Sequence, residues 1–325
     1  PLGVGDDGAL IEKNKQTYYV LSQDTMNEGT HFFPNHAPRK LGWKVLATNI
    51  SDISAMGGTP KYALLSLSIK KINELWMNEF SKGFFSCAKE YGVELIGGDT
   101  TKGPTSLSVT IIGEVKKKYV LKRNGAKVDE DIWVTGELGL AALGLSYQLG
   151  KTSLSGNILA KALSAIEIPK PIKVNMEKFA PLFSSAIDTS DGLVQDLQHI
   201  LNQSNIGALI YSQNIPTAPW IKKNNAYDFV LYGGEDYQLV LTASQANRKK
   251  IIEVAMKDKI KLTRIGVTTK IKKFQLFDKD NKSRPFKFIA LGGSSNGSVF
   301  EGHNYTYVGS TWGKIVDCLI ETQCM

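Results

Sequence analysis

Short apolar stretches alternate with longer helical patterns through the first 115 residues, and this alternation restricts the folds that the chain can adopt. Strand-like runs are "TYYVL", "KYALLSLSI", "VELIGG" and "TSLSVTIIGEV", and we expect "VELIGG" to be a buried strand. Helical apolar spacing predicts a helix over 38–56, which opens near a proline and stops at Gly-Gly, and another in "NELWMNEFSKGFFSCAKEYG". Such alternation is typical of an α/β or α+β layer domain.

A second unit of the same kind follows a charged segment. "KKKYVLKRNGAKVDED" carries an Asn-Gly turn and is the expected domain junction. Beyond it we predict a strand in "DIWVTG", helices over 137–150 and 155–166, a strand, turn and helix in "SSAIDTSDGLVQDLQHILNQ", strands near 207–212, 236–242 and 261–277, and a helix near 244–256. The expected domains are therefore 1–118 and 127–290. A Gly/Ser-rich tail, 291–325, fits no regular element.

Composition narrows the function classes. The net charge of +8 is spread over short Lys/Arg groups without a basic stripe, which favours anionic small molecules over nucleic acid. Cys87, Cys318 and Cys324 have neither disulfide-framework nor metal-ligand spacing, so we expect a reducing cytoplasm. No apolar run approaches the ~20 residues of a membrane helix. The chain begins at Pro1 without a methionine or a signal peptide, and we expect a natural N-terminal segment to be absent.

Carboxylates recur in turns that follow apolar strands. In most of these stretches the acid lies within one residue of a glycine, a placement that brings side chains to the rim of a sheet. The acids are Asp6, Asp7, Asp24, Asp52, Asp99, Asp188, Asp191, Glu235 and Asp236. Clustered carboxylates repel one another unless cations lie between them, and hard oxygen ligands suit Mg²⁺ that also binds phosphate. The pattern predicts a polyphosphate site.

Plainer interpretations remain open for the individual acids. Asp in a turn often bonds its own backbone, and Ser190 or Asp191 suits a helix N-cap before "GLVQDLQHIL". Asp52 lies inside the apolar 38–56 helix, three residues after Asn49, and therefore faces either solvent or a site.

Two stretches suggest phosphate binding. "IGGDTT" follows a strand and leaves backbone N–H groups free, whereas "GKTS" at Gly150 lacks the spacing and the preceding strand of a P-loop. Arg123 either binds a phosphate through two guanidinium N–H groups or lies on the junction turn without a ligand. His31 is a substrate contact, a general base or a core histidine. The sequence lacks G-x-S-x-G, HExxH and CxxC motifs, which disfavours covalent acyl chemistry and zinc chemistry.

Seven stretches, in this order and at these intervals, carry a family resemblance: "GVGDDGAL", "SQDTMNEGTHF", "NISDISAMGG", "GGDTT", "KRNGAKVDEDIWVTG", "DTSDGL" and "GGEDYQLVLT". Over about residues 3–290 the chain resembles the thiamine-monophosphate kinase family of the aminoimidazole ribonucleotide synthetase superfamily. The resemblance implies in-line transfer of a phosphoryl group from ATP to thiamine monophosphate, which gives thiamine diphosphate, with several Mg²⁺ ions. It also implies a two-domain α/β (α+β) fold and a homodimer that forms through the N-terminal mixed sheets.

The same resemblance assigns roles to individual positions. The implied metal ligands are Asp7, Asp24, Asp52, Asp99, Asp188, Asp191 and Ser22; the implied ATP contacts are Gly98, Asp99, Arg123 and Ser190; the implied substrate contacts are His31 and Glu235. No catalytic acid or base is assigned, because an acceptor phosphate oxygen is already ionised near pH 7.

The chain departs from the family pattern in three places. Gln23 replaces a hydroxyl residue, and Ser81 replaces an aromatic near the nucleotide. The family's C-terminal aromatic that caps thiamine has no assigned position, because the tail is unlike the family and offers both Phe300 and Trp312. The competing functions are a related synthetase that activates an amide or formyl oxygen, a metal or nucleotide binding protein without turnover, and a P-loop ATPase.

Overall fold

The computed structural model describes residues 2–277 and the backbone of 283–284. The expected tail, 291–325, lies outside these residues. In the described part of the chain the secondary structure forms two sheets with flanking helices, and the predicted two-domain α/β (α+β) fold class is confirmed.

The N-terminal sheet has five strands in the order β1-β2-β5-β3-β4. Their bounds are β1 Ala9–Glu12, β2 Thr17–Asn27, β3 Thr59–Ile69, β4 Glu94–Lys102 and β5 Ser106–Lys116. Only the β3/β4 pair is parallel, so the sheet is mixed, as predicted. One face is apolar and packs on two helices, α1 Pro38–Ala55 and α2 Glu74–Tyr91.

The described residues leave the other face of this sheet exposed. Polar residues alternate with the core residues, and the Thr25 and Ser108 hydroxyl groups lie 2.7 Å apart there. The prediction that "VELIGG" forms a buried strand is wrong for the isolated chain, because every residue of β4 except Leu95 is exposed. Strand β4 is the edge of the sheet, so its outer backbone groups have no strand partner in the described part of the chain.

Helix α1 is the central element of the molecule. Pro38 occupies its first turn, where a missing N–H is harmless, and Gly57 at φ +72° follows its end. The helix contacts β2 and β5 on one side and reaches β7 and α4 of the second domain on the other. Because it is covered nearly all round, most of its polar residues are buried.

The C-terminal sheet has the order β12-β11-β8-β10-β6-β9-β7. Its strands are β6 Glu130–Thr135, β7 Ser185–Asp188, β8 Gly207–Tyr211, β9 Leu239–Ser244, β10 Leu262–Thr269, β11 Phe274–Phe277 and β12 Ser283–Arg284. All pairs are antiparallel except β8 with β11. The single strand predicted near 261–277 is two strands, because the lysine-rich turn 270–273 redirects the chain.

Helices cover the C-terminal sheet and the domain boundary. They are α3 Leu140–Gln148, α4 Gly156–Glu167, α5 Met176–Phe179, α6 Leu193–Ser204, α7 Pro219–Lys223, α8 Asp228–Leu231 and α9 Arg248–Lys257. Trp43 Nε1 donates to the Pro169 carbonyl at 2.8 Å, and Tyr91 donates to the Pro171 carbonyl at 2.9 Å, so α1 and α2 are fastened to the second domain. No helix among the described residues is both long and apolar enough to cross a bilayer.

Candidate active site

Three of the predicted metal ligands converge between the domains. Carboxylate oxygens of Asp7, Asp52 and Asp188 lie within 4.8 Å of one another. Asp7 comes from the loop before β1, Asp52 from α1 and Asp188 from the last position of β7. We call these three residues the carboxylate cluster. Asp52 therefore faces a site and not solvent.

Hydrogen bonds hold the cluster in place. Ser22 Oγ donates to Asp52 Oδ2 at 2.6 Å, and Ser51 Oγ donates to Asp188 Oδ2 at 2.7 Å. Ser22 is thus a neighbour of the cluster through Asp52. The Oδ2 atom of Asp7 is buried and accepts no hydrogen bond from any described residue.

The cluster carries unfavourable charge. Burial, followed by repulsion from Asp188, raises the pKa of Asp52 well above its usual value, and burial and then Asp7 do the same for the pKa of Asp188. Burial also raises the pKa of Asp7 to about 6, although Arg123 opposes this shift. Three crowded oxygen ligands with one unused acceptor fit a hard divalent cation such as Mg²⁺.

The Arg123 side chain contacts this cluster, so Arg123 is more than a surface residue of the junction turn. Its guanidinium contacts Asp7 Oδ1 at 2.5 Å, and its backbone N–H donates to Asp6 Oδ1 at 2.8 Å. The Nε atom is buried without a hydrogen-bond partner in the described chain. A free guanidinium donor beside a carboxylate cluster is suited to a phosphate oxygen.

Asp24 connects the cluster to a second region. Strand β1 stops pairing with β2 at Leu21, so the Asp24 N–H is free to donate to Asn49 Oδ1 of α1 at 3.1 Å. Burial raises the pKa of Asp24, with His31 lowering it and Glu235 raising it. Asp24 also contributes to the raised pKa of Asp52. Along β2, Asp24 lies between Ser22, which donates to Asp52, and Asn27, whose N–H donates to His31.

A cavity of about 140 Å³ occupies this second region, between the domains. It contains both predicted substrate contacts, His31 and Glu235. Its wall consists of Gly29, Thr30, His31, Phe32, Phe33, His36, Lys44, Leu145, Gln148, Ile166 and Glu235. We call this space the interdomain cavity. Its mixture of aromatic, cationic and anionic groups suits a small ligand that carries both apolar and charged parts.

Local backbone geometry places the two predicted substrate contacts. His31 is exposed, and its Nδ1 accepts a hydrogen bond from the Asn27 N–H at 3.0 Å, so the interpretation as a core histidine is wrong. Glu235 has φ +69°, and its N–H donates to the Ser190 carbonyl at 2.9 Å. A left-handed backbone at a non-glycine residue is uncommon and here points Glu235 into the cavity.

Sequence reasoning missed Lys44. Its side chain is only 2% exposed, and Nζ lies 2.5 Å from Glu235 Oε2. The contact is an ion pair that joins α1 to the second domain. One signal was available: Lys44 lies between Leu41 and Val45 within the apolar repeat of α1. A lysine in such a stripe requires a buried partner.

The single chain leaves Asp99 and Gly98 away from the cluster. Asp99 pairs in register with Ser66 on the open face of the N-terminal sheet, and its Oδ1 accepts from the Thr100 N–H at 2.8 Å. Strand β4 is three strands from β2, a separation of about 14 Å. Gly98 has φ +151°, and a Cβ there would lie 1.8 Å from the Leu65 carbonyl.

The turn after β7 also lies outside the cluster. Asp191 is exposed, and its Oδ2 accepts from Gln195 Nε2 at 2.7 Å. The N-cap interpretation of Ser190 and Asp191 is wrong, because Gly192 is the N-cap of α6 and makes no side-chain cap. Asp196 instead accepts from the Asp191 and Gly192 N–H groups at 3.2 and 2.9 Å.

Two further sequence features have structural outcomes. The Gln23 side chain accepts from Thr110 Oγ1 at 2.8 Å on the open face, so it points away from Asp24. "GKTS" follows the end of α3, with Gly150 at φ +70°, where a P-loop needs a preceding strand, so the P-loop interpretation is wrong. Phe300 and Trp312 lie outside the described residues.

Comparison with known proteins agrees with this architecture. Residues 5–115 match the AIR synthase related protein N-terminal domain, and residues 127–279 match the corresponding C-terminal domain. A thiamine-monophosphate kinase of Buchnera aphidicola is 39% identical over 287 residues, covering 86% of this chain and 88% of the relative. The Escherichia coli thiamine-monophosphate kinase is 37% identical over 252 residues, covering 76% and 78%.

Solved structures show the same relationship. The thiamine-monophosphate kinase of Stenotrophomonas maltophilia superposes with a TM-score of 0.77 at 35% identity and covers 87% of this chain and 92% of its own. AaThiL, solved in complex with AMPPCP and TMP, superposes with a TM-score of 0.76 at 28% identity and covers 86% and 88%. The chain therefore belongs to the thiamine-monophosphate kinase family.

Proposed function

We propose that this chain catalyses the ATP-dependent phosphorylation of thiamine monophosphate to thiamine diphosphate, with the carboxylate cluster on the donor side and the interdomain cavity on the acceptor side. The observation that carries this proposal is the continuity of the two regions. Helix α1 supplies Asp52 to the cluster and Lys44 to the cavity. On β2, Asp24 lies between Ser22, which bonds Asp52, and Asn27, which bonds His31.

Asp7, Asp52 and Asp188 would hold Mg²⁺, with Asp24 at the edge of the same site and Ser22 supporting Asp52. Bound Mg²⁺ neutralises charge on the phosphate oxygens that meet during transfer. The buried oxygen of Asp7 without a hydrogen bond supports this assignment. Asp191 belongs to the nearby turn after β7, where an exposed carboxylate is accessible to a further ion.

The chain's own residues position two anions. Arg123 uses its free Nε–H to bind a phosphate oxygen of ATP, and Ser190 supplies backbone from the turn that also holds Glu235. His31 and Glu235 orient the acceptor in the interdomain cavity. No side chain removes a proton, since the attacking oxygen of a phosphate monoester is already ionised near neutral pH. Catalysis is therefore alignment and charge neutralisation.

A homodimer through the N-terminal sheets completes the proposal. The open face carries exposed apolar side chains, including Tyr62, Leu64 and Ile96, and a free strand edge at β4. In a dimer Asp99 and Gly98 would meet a second chain, and this accounts for two expected ligands that a single chain keeps distant from the cluster. The buried free thiol of Cys87 suits the reducing cytoplasm.

Turnover tests the function directly. The protein is incubated with ATP, Mg²⁺ and thiamine monophosphate, and ³¹P resonances are followed with time. Appearance of the diphosphate doublet of thiamine diphosphate together with ADP is expected. ADP without thiamine diphosphate would indicate an ATPase or a related synthetase, and unchanged spectra would indicate a binding protein. Light scattering during size-exclusion chromatography tests the dimer separately.

A further inference from the structure

Lys44 is the most deeply buried lysine in the described chain, and its only ion pair there crosses the domain boundary. Its side chain is 2% exposed, whereas the side chain of its partner Glu235 is 30% exposed. Lys44 belongs to α1 of the first domain and Glu235 to the loop before β9 of the second. Burial of an ammonium group is costly unless a counter-charge accompanies it.

The pair lies in the wall of the interdomain cavity, so it is available to a ligand. His31 and His36 add nitrogen groups to the same wall, and His36 Nε2 is buried with no hydrogen-bond partner among the described residues. Among the described residues, Glu235 is the only carboxylate in the wall. The cavity therefore offers one anionic position, Glu235, and one buried cationic position, Lys44, with imidazole nitrogen atoms beside them.

Thiamine monophosphate carries the complementary charges on one molecule. Its thiazolium ring is a permanent cation with an attached aminopyrimidine, and its phosphate is an anion. Such a molecule can separate Lys44 from Glu235 and give each a new partner. Thiamine, which has the cation but lacks the phosphate, can satisfy Glu235 only by leaving Lys44 buried and unpaired.

Building on the proposed function, we propose that Lys44 is a specificity-determining residue: it exchanges Glu235 for the acceptor phosphate and thereby makes the interdomain cavity reject acceptors that lack a phosphate. The discrimination arises from the unpaired buried charge that a wrong ligand would leave, which is the strongest form of rejection available to a binding site. Lys44 acts here on the acceptor, separately from the donor-side carboxylate cluster.

The test is equilibrium binding without ATP, measured by calorimetry with thiamine monophosphate and with thiamine as separate ligands. For Lys44→Met we expect the affinity for thiamine monophosphate to fall about 30-fold or more, while the affinity for thiamine stays within about threefold or increases. Lys44→Arg, which keeps the charge, should retain most of the preference for the phosphorylated ligand.

Lys40 provides a matched control on the same helix. Its Nζ lies 2.5 Å from Glu167 Oε2 across the same domain boundary, but Lys40 does not line the cavity. Lys40→Met should change both affinities equally or not at all. An effect of Lys40→Met on the preference equal to that of Lys44→Met would assign the effect to domain docking and overturn the proposal.

A folding defect in Lys44→Met is addressed by the double variant Lys44→Met/Glu235→Gln, which removes both charges of the pair. In this variant the preference for thiamine monophosphate over thiamine should remain lost although the unpaired Glu235 is gone. A preserved preference in either variant contradicts the proposal. Binding is read independently of turnover, so failure of the wild-type protein to form thiamine diphosphate would count against the proposed function and not against the role of Lys44.

Discussion

Asp52→Asn should stabilise the metal-free protein while it abolishes activity. The carboxylate oxygens of Asp52, Asp7 and Asp188 lie within 4.8 Å of one another. Two unit charges at that limit repel by about 3.5 kcal/mol at an effective dielectric constant of 20. Burial and repulsion already raise the pKa of Asp52 and Asp188, so part of this energy is relieved by protonation. We therefore expect a gain of about 1 to 3 kcal/mol in the free energy of unfolding.

The substitution is nearly isosteric, and the asparagine carbonyl can still accept the hydrogen bond from Ser22. The assay has two parts: denaturant unfolding in EDTA for stability, and formation of thiamine diphosphate with saturating Mg²⁺ for activity. We expect turnover to fall about 10³-fold or more, because the variant removes one charge from the metal site. Added Mg²⁺ should also stabilise the variant less than the wild type.

Asp228→Asn controls for loss of an acid elsewhere, because Asp228 is exposed on α8. It should leave both measurements unchanged. Near-normal turnover in Asp52→Asn would refute the role of the cluster in binding metal. Lower stability of Asp52→Asn in EDTA would refute the electrostatic reasoning, because it would mean that the three carboxylates are not mutually repulsive.

Three other predictions concern charge and backbone. Burial raises the pKa of Asp236 from 3.8 to about 7. Its contribution to stability is therefore complete below about pH 4 and is lost as the pH rises through about 7. Asp236→Asn should flatten the decline in unfolding free energy that is measured between these two pH values. Arg123→Lys keeps the charge but loses the guanidinium fork, so the KM for ATP in steady-state kinetics should rise about tenfold. An unchanged KM would exclude Arg123 from the nucleotide site. Gly98→Ala places a Cβ 1.8 Å from the Leu65 carbonyl oxygen and should lower the free energy of unfolding by about 2 kcal/mol or more. Gly92 has open space around it, so Gly92→Ala should lower the free energy of unfolding by less.

Local patterns were sufficient to predict the elements of the fold. The apolar period of α1 and its Pro38 and Gly57 signals place the helix at 38–56 by sequence and at Pro38–Ala55 in the structure. The same pattern marks Asp52 as a polar residue on an apolar helix. Such features depend on residues within one or two turns, so the sequence carries them directly.

Features that depend on distant partners were not predictable in this way. Lys44 is buried against Glu235 of the other domain, and no residue near Lys44 in the sequence identifies Glu235 as its ion-pair partner. The apolar and glycine residues of β4 predict a strand, but they do not indicate that it lies at the exposed edge of the sheet. The grouping of Asp7, Asp52 and Asp188 without Asp99 follows from the strand order, which motifs alone do not supply.

The central claim is that the carboxylate cluster and the interdomain cavity form one site for phosphoryl transfer. A crystal structure of the complex with Mn²⁺, a non-hydrolysable ATP analogue and thiamine monophosphate, with anomalous scattering recorded for manganese, tests it most directly. We expect manganese bound by Asp7, Asp52 and Asp188, with the acceptor in the cavity and its phosphate directed towards that ion. Manganese bound elsewhere, or an acceptor outside the cavity, would contradict it.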